Sequence, residues 1–155
     1  KPRSCAFWLD EQLYLRLSGA ASAVDSTAGQ WGGEFVDNDL ALWEGLREMT
    51  LPFFAGDAPL WRFSVQSSAR LTADFGAMVI EWGGAQRWVR GEQQREQLDH
   101  AAASAGGHLT LFRGGDRASE VRPPLNTVER RLQQQLKNSF DPDAILNPGR
   151  LYTWL

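Results

Sequence analysis

The sequence predicts an α+β domain in which an antiparallel sheet carries helices on one face. Three observations point there. Short β-prone runs with period-two alternation are interleaved with helical runs of about ten to fourteen residues. Two strand runs flank Gly83-Gly84-Ala85 as a hairpin would. A chain of 155 residues, 43% hydrophobic and 11% aromatic, is long enough to bury one core without covalent staples.

The elements follow in order. From Cys5 to Ser18 the residues alternate, with a turn expected at Asp10-Glu11; Leu13, Leu15 and Leu17 point one way, Tyr14, Arg16 and Ser18 the other. This reads as a strand leading into a helix, because Ala20, Val24, Ala28 and Trp31 recur about every four residues and Gly32-Gly33 stops them. Asp37 or Asn38 caps a second helix through Leu40, Trp43, Leu46 and Met49, which Pro52 ends. Pro59 opens a strand from Leu60 to Gln66, with Trp61, Phe63 and Val65 on one side and Arg62, Ser64 and Gln66 on the other. After a polar stretch from Ser67 to Asp74 comes the hairpin, Ala77 to Trp82 and Gln86 to Arg90. Glu92 to Ala105 is a helix closed by Gly106-Gly107, and His108 to Arg113 is a strand. Asn126 caps a last helix, Thr127 to Asn138, in which Val128, Leu132 and Leu136 recur. The order strand, helix, helix, strand, hairpin, helix, strand, helix suits a split βαβ, or ferredoxin-like, arrangement within a single domain over residues 1–155.

Several function classes drop out. One cysteine, Cys5, cannot form an internal disulfide, and no Cys, His and carboxylate cluster has metal-ligand spacing, so no metal site is expected. A formal charge of −3 without basic runs gives no footprint for nucleic acid. No apolar run reaches the roughly 18 to 20 residues of a membrane span and no signal peptide is visible, so the cytoplasm is the expected compartment. The chain starts at Lys1 almost directly in a strand, which reads as a piece of a longer polypeptide. Gly114-Gly115-Asp116-Arg117 fits neither a phosphate-binding loop nor a dinucleotide fingerprint. The arginine excess, 14 against two lysines, matches GC-rich coding, and the seven tryptophans suit core packing.

With helices on the apolar face, the other face consists of Tyr14, Arg16, Arg62, Ser64, Gln66 and one side of the hairpin. Two readings stand for it. It is an ordinary solvated sheet surface, or a platform on which guanidinium groups grip a carboxylate or phosphate in fork geometry. His108, at the start of a strand, is either a structural histidine or a base. In the closing stretch Phe140 to Arg150, Asp141 caps a short helix with Pro142 at its first position, and Pro148-Gly149 bends the chain.

These residues carry a resemblance. Phe140-Asp141-Pro142, a spacer and Asn147-Pro148-Gly149-Arg150 resemble the closing segment of FAD-linked oxidases of the vanillyl-alcohol-oxidase type. Leu15 to Ala20, Leu60 to Val65 and, most discriminating, Ile80-Glu81-Trp82-Gly83-Gly84-Ala85-Gln86-Arg87-Trp88 are similar to the C-terminal half of the FAD-binding subunit of bacterial glycolate oxidases, from about residue 4 to the end. The resemblance implies a cap domain whose sheet lies over a flavin held mainly by an absent N-terminal FAD-binding domain. It further implies a complex with a second flavoprotein subunit and an iron–sulfur subunit, peripheral to the inner membrane, which oxidises the 2-hydroxy acid glycolate to glyoxylate.

On that reading the cofactor carries the redox step while the protein fixes the carboxylate and takes the hydroxyl proton. Arg62, Arg16 and His108 are the expected catalytic side chains, with Arg62 foremost. Asn147, Pro148, Gly149, Arg150, Trp82 and Arg87 are the expected cofactor contacts, and Trp88 a wall of the ring site. Two other classes compete: a docking domain that uses the aromatic hairpin Ile80 to Trp88 against a partner subunit, and a small-molecule sensor that pairs through its sheet.

Overall fold

A computed structural model describes residues 3–71, 73–117 and 121–155. Thr72, within the polar stretch, therefore lies outside the described residues. The elements are β1 (Arg3–Leu9), β2 (Gln12–Leu17), α1 (Ala21–Trp31), α2 (Asp39–Arg47), a 3-10 turn (Pro52–Phe54), β3 (Leu60–Ser64), β4 (Met78–Glu81), a second 3-10 turn (Trp82–Gly84), β5 (Gln86–Arg90), α3 (Arg95–Ser104), β6 (His108–Arg113) and α4 (Thr127–Phe140). All strands pair antiparallel in one sheet of order β2-β1-β4-β5-β3-β6. No helix among the described residues is long and apolar enough to cross a membrane.

The last four strands have the order of a ferredoxin-like sheet, with α3 crossing from β5 to β6. The crossover from β3 to β4 has no helix in its described residues. It is a loop instead, tied down where Val65 N–H donates to Ala85 and Arg87 donates to Ala69.

The first segment corrects a sequence expectation. Cys5 to Ser18 is not one strand but the hairpin β1–β2, added to the ferredoxin-like sheet at β4. Asp10 and Glu11, at φ 49° and 62°, form its two-residue turn, and paired left-handed residues are the backbone that such a turn demands. The apolar face is reversed as well: Leu13 and Leu15 are exposed, whereas Tyr14 is half-buried and stacks on Phe7 at 4.7 Å. Register decides this, because residues paired across a ladder share a face and Phe7 is opposite Tyr14.

Two cores flank the sheet. On one face α3 sets Leu98, Ala101, Ala102 and Ala105 against Trp61, Phe63, Val89, Leu109 and Leu111. Ala-rich helical residues let α3 approach closely, and at Gly107 an added Cβ would stand 1.9 Å from the Ser64 carbonyl oxygen. The other face was expected to be bare, but α2 and the first 3-10 turn cover its middle: Leu42, Trp43, Leu46 and Phe54 pack with Phe7, Leu60, Val79 and Trp88. Least covered on that face is its β3–β5–β6 end, where Arg62, Ser64 and Gln86 are half-buried and His108 and Phe112 exposed. α4 begins as expected at Asn126, whose side chain accepts from the N–H groups of Val128 and Glu129 in a capping box. Its apolar residues Val128, Leu132 and Leu136 remain exposed.

Candidate functional site

The open end of the second face is built from three adjacent strands. Arg62 on β3 is paired with Trp88 on β5 and Thr110 on β6, so the three share this face; Ser64 is paired with Gln86 and His108 one step along. Glu81 on β4 is opposite Gln86 and completes the row. Strand alternation alone produces this surface: every second residue of Leu60–Ser64 and Gln86–Arg90 faces a core, and the intervening ones face outward or toward α2.

Arg62 is the charged centre. Its Nε is buried and has no hydrogen-bond partner, and among the described residues no carboxylate pairs with it. Its guanidinium carbon sits 5.8 Å from the centre of the Phe112 ring, which packs nearly perpendicular to Trp88, 4.9 Å between ring centres at 81°. A guanidinium on an aromatic face, with no internal acceptor, keeps its donors for an anion.

The acid of the site is equally defined. Glu81 Oε1 accepts from Trp88 Nε1 at 2.6 Å and from Gln86 Nε2 at 2.7 Å. The indole that anchors the acid therefore stands directly across the ladder from Arg62. This geometry offers a cation and an oriented carboxylate on one face, separated by an aromatic ring, with Ser64 and Thr110 as hydroxyl neighbours.

The expected site residues distribute unevenly over this frame. Arg62 and His108 lie on one face and on neighbouring strands, His108 exposed at its margin. Arg16 is elsewhere: it lies on edge strand β2, with three strands between it and β3, so about 19 Å separates the two backbones at the usual strand spacing. Arg16 instead lines a groove of about 840 Å³ with Val24, Ala28, Trp31 and Trp43. The two arginines do not meet on one small substrate.

Trp82 is at the hairpin tip, 76% exposed, with φ at 54°. Arg87 faces the α3 side, buried, and donates to the carbonyls of Gly84 at 2.9 Å and Ala69 at 2.6 Å. Burial pushes its pKa down from the usual arginine value. Its guanidinium holds the hairpin turn on the crossover loop. Asn147 to Arg150 are exposed, and their hydrogen bonds are local, Gly149 N–H to Leu155 at 2.8 Å and Arg150 N–H to Asn147 at 3.2 Å. In place of the short helix expected after Asp141, its buried carboxylate gathers the N–H groups of Ile145 and Leu146 and the Lys137 ammonium.

Sequence reasoning missed Glu81, Gln86 and Phe112. The signal for the first two was present: a Gly-Gly turn puts Glu81 opposite Gln86, and alternation puts both on the face of Arg62. Phe112 gave none, because a register shift between Leu60 and Trp61 disturbs its pairing.

No protein-family model matches the chain, and no solved structure matches it. Among curated proteins, the glycolate oxidase subunit GlcE of Escherichia coli (strain K12) is 38% identical over 154 residues, which is 99% of this chain. The chain spans 43% of that relative's length. Over nearly its whole extent, the chain is thus similar to the C-terminal part of a glycolate oxidase subunit, as its closing and hairpin motifs resemble.

Proposed function

We propose that this chain is the cap part, residues 1–155, of a longer FAD-dependent subunit that oxidises glycolate, a 2-hydroxy acid, to glyoxylate, with its open sheet end closing over the substrate. Arg62 carries the reading. A half-buried guanidinium that lies on an aromatic ring, with no carboxylate partner among the described residues, keeps its terminal N–H groups for an anion, and the substrate's carboxylate has the matching fork.

The residues present fit a flavin ring and an anionic substrate: Phe112 and Trp82 offer exposed aromatic surface, and Arg62 offers positive charge beside Phe112. A bound flavin would supply the acceptor for the hydride that leaves the substrate carbon. The chain's own work is to fix the carboxylate at Arg62, to exclude water with Trp88 and Phe112, and to accept the hydroxyl proton on the same face. The proposed cofactor contacts are Trp82 and the bend Asn147 to Arg150, approached from outside this domain. Other glycolate oxidase subunits, a flavoprotein and an iron–sulfur protein, are the proposed partners.

The test uses the full-length subunit that bears this chain, assembled with its partners. Anaerobic glycolate should bleach its flavin absorbance, and Arg62→Met should raise the glycolate KM by about 100-fold, as for loss of a charge-assisted bidentate pair. An unchanged KM would remove the reading. A second reading, docking, has its own observation: Trp8, Leu13 and Leu15 are exposed together on the α3 side of the sheet, at the β1–β2 end beyond α3. Bleaching that requires the partner subunit even with flavin bound would favour it.

A further inference from the structure

We infer that Glu81 reads the hydroxyl group of the substrate, so that Arg62 and Glu81 form a two-point clamp for a 2-hydroxycarboxylate. The inference rests on the proposed role of Arg62 and adds a second determinant to the same face.

The acid is preorganised for one task. Its Oε1 is occupied by two donors, Trp88 Nε1 at 2.6 Å and Gln86 Nε2 at 2.7 Å, which fix the carboxylate plane. Oε2 has no donor among the described residues and is not sealed from solvent. An ionised carboxylate only accepts, so the group that completes Oε2 must bring a proton. A substrate carboxylate cannot, but a hydroxyl can.

Spacing agrees. Arg62 and Trp88 are direct cross-strand neighbours, with Cβ atoms about 5 Å apart as such pairs are. The indole spans from there to Glu81. A two-carbon hydroxy acid with one hydrogen bond at each end covers on the order of 8 Å, and the backbones of β3 and β4 that carry Arg62 and Glu81 lie two strand spacings, roughly 9–10 Å, apart across β5. Neutral donors saturate one oxygen of Glu81 and keep the acid from collapsing onto Arg62, which leaves both charges free for the ligand.

The arrangement discriminates between substrate and product. Oxidation turns the hydroxyl into a carbonyl, which offers lone pairs to a carboxylate that has none to receive them. The oxo acid is therefore held at Arg62 alone. His108 is less suited to this reading, because it is exposed at the start of β6 and no hydrogen bond orients it among the described residues.

Equilibrium binding to the full-length subunit tests this without turnover. Glycolate and acetate, which differ only in the hydroxyl, are titrated against wild type, Glu81→Gln and Arg62→Met by flavin spectral perturbation, with thermal melts to confirm folding. Wild type should prefer glycolate by at least about tenfold, the worth of one hydrogen bond to a charged group. In Glu81→Gln the amide oxygen can keep Trp88 and Gln86 while its NH2 replaces the free acceptor, so the preference should shrink toward unity. Arg62→Met should weaken both ligands and leave their ratio. If Arg62→Met weakens both but Glu81→Gln keeps the full preference, the role of Glu81 is refuted and that of Arg62 stands. If Arg62→Met changes neither, the site itself is refuted. Should Glu81→Gln melt early, Trp88→Phe, which removes one anchor and keeps the charge, must still reduce the preference.

Discussion

Trp88 donates its indole N–H to Glu81 at 2.6 Å while its ring is close to perpendicular to those of both Phe54 and Phe112. One side chain therefore closes the α2-covered core and sets the acid of the open site. The two functions separate by substitution. Trp88→Phe keeps most of the buried ring and should cost about 1–2 kcal/mol, whereas Trp88→Ala should cost about 3–5 kcal/mol by emptying the core position. Urea unfolding of the two variants checks this, and equal losses would show that the hydrogen bond rather than packing dominates.

Arg87 looks like a substrate arginine in the sequence but is a buried brace. It bonds the carbonyls of Gly84 and Ala69, and Ser67 runs so close beneath the turn that a Cβ on Gly84 would stand 2.4 Å from its oxygen. Arg87→Met should destabilise by about 2–3 kcal/mol, since two charge-assisted bonds vanish and two carbonyls lose their donor. Arg87→Lys should rescue little, because one ammonium cannot serve both directions of the fork. A lysine variant as stable as wild type would contradict the bracing role.

Two glycines should respond in opposite directions. Gly107 is pressed on the end of β3, where a Cβ would meet the Ser64 oxygen at 1.9 Å and Val65 Cα at 2.6 Å; Gly29, inside α1, has nothing within 4 Å. Gly107→Ala should cost more than about 3 kcal/mol or block folding, as backbone cannot give way like a side chain. Gly29→Ala should gain about 0.5–1 kcal/mol from helix propensity. Denaturation midpoints that move the same way for both would show that the turn from α3 into β6 does not pass this close to β3.

Local chemistry was legible wherever one element decides its own shape. Asn126 with Glu129 announced α4, Gly83-Gly84 announced the β4–β5 hairpin, and the alternation of Leu60 to Ser64 put Arg62 on the face opposite Trp61 and Phe63. The ferredoxin-like order followed from those pieces. What failed depended on long-range cover. Nothing in Gln12–Leu17 tells that its tyrosine stacks on Phe7, which Trp43 of α2 meets in turn, while Leu13 and Leu15 face outward, because that choice is made by where α2 packs. Arg62 and Arg16 look equivalent in the sequence, and only strand order separates them. Glu81 went unnoticed because its meaning is a cross-hairpin relationship to Gln86 and Trp88 rather than a property of its neighbours in sequence.

Asp141 supplies the pH-dependent element of the fold. The Lys137 ammonium that hydrogen-bonds to it, followed by the N–H groups of Leu146 and Ile145, holds its carboxyl below the usual carboxylate range, against the opposing effect of burial. A group whose folded pKa lies below its unfolded value stabilises the native state when ionised. That contribution is complete above the unfolded value, about pH 4 for an aspartate, and is lost as the pH falls through the folded one. Asp141→Asn should therefore lower stability by a constant amount at neutral pH, with the gap to wild type closing below about pH 4 as the wild-type carboxylate takes up its proton. Because the same carboxylate organises Ile145 and Leu146, the loss should appear first as faster amide exchange in the bend that carries Asn147 to Arg150. Stability measured against pH for both proteins decides the matter: a gap that widens toward acid would reverse the sign of the linkage and show that the ion pair with Lys137 does not form.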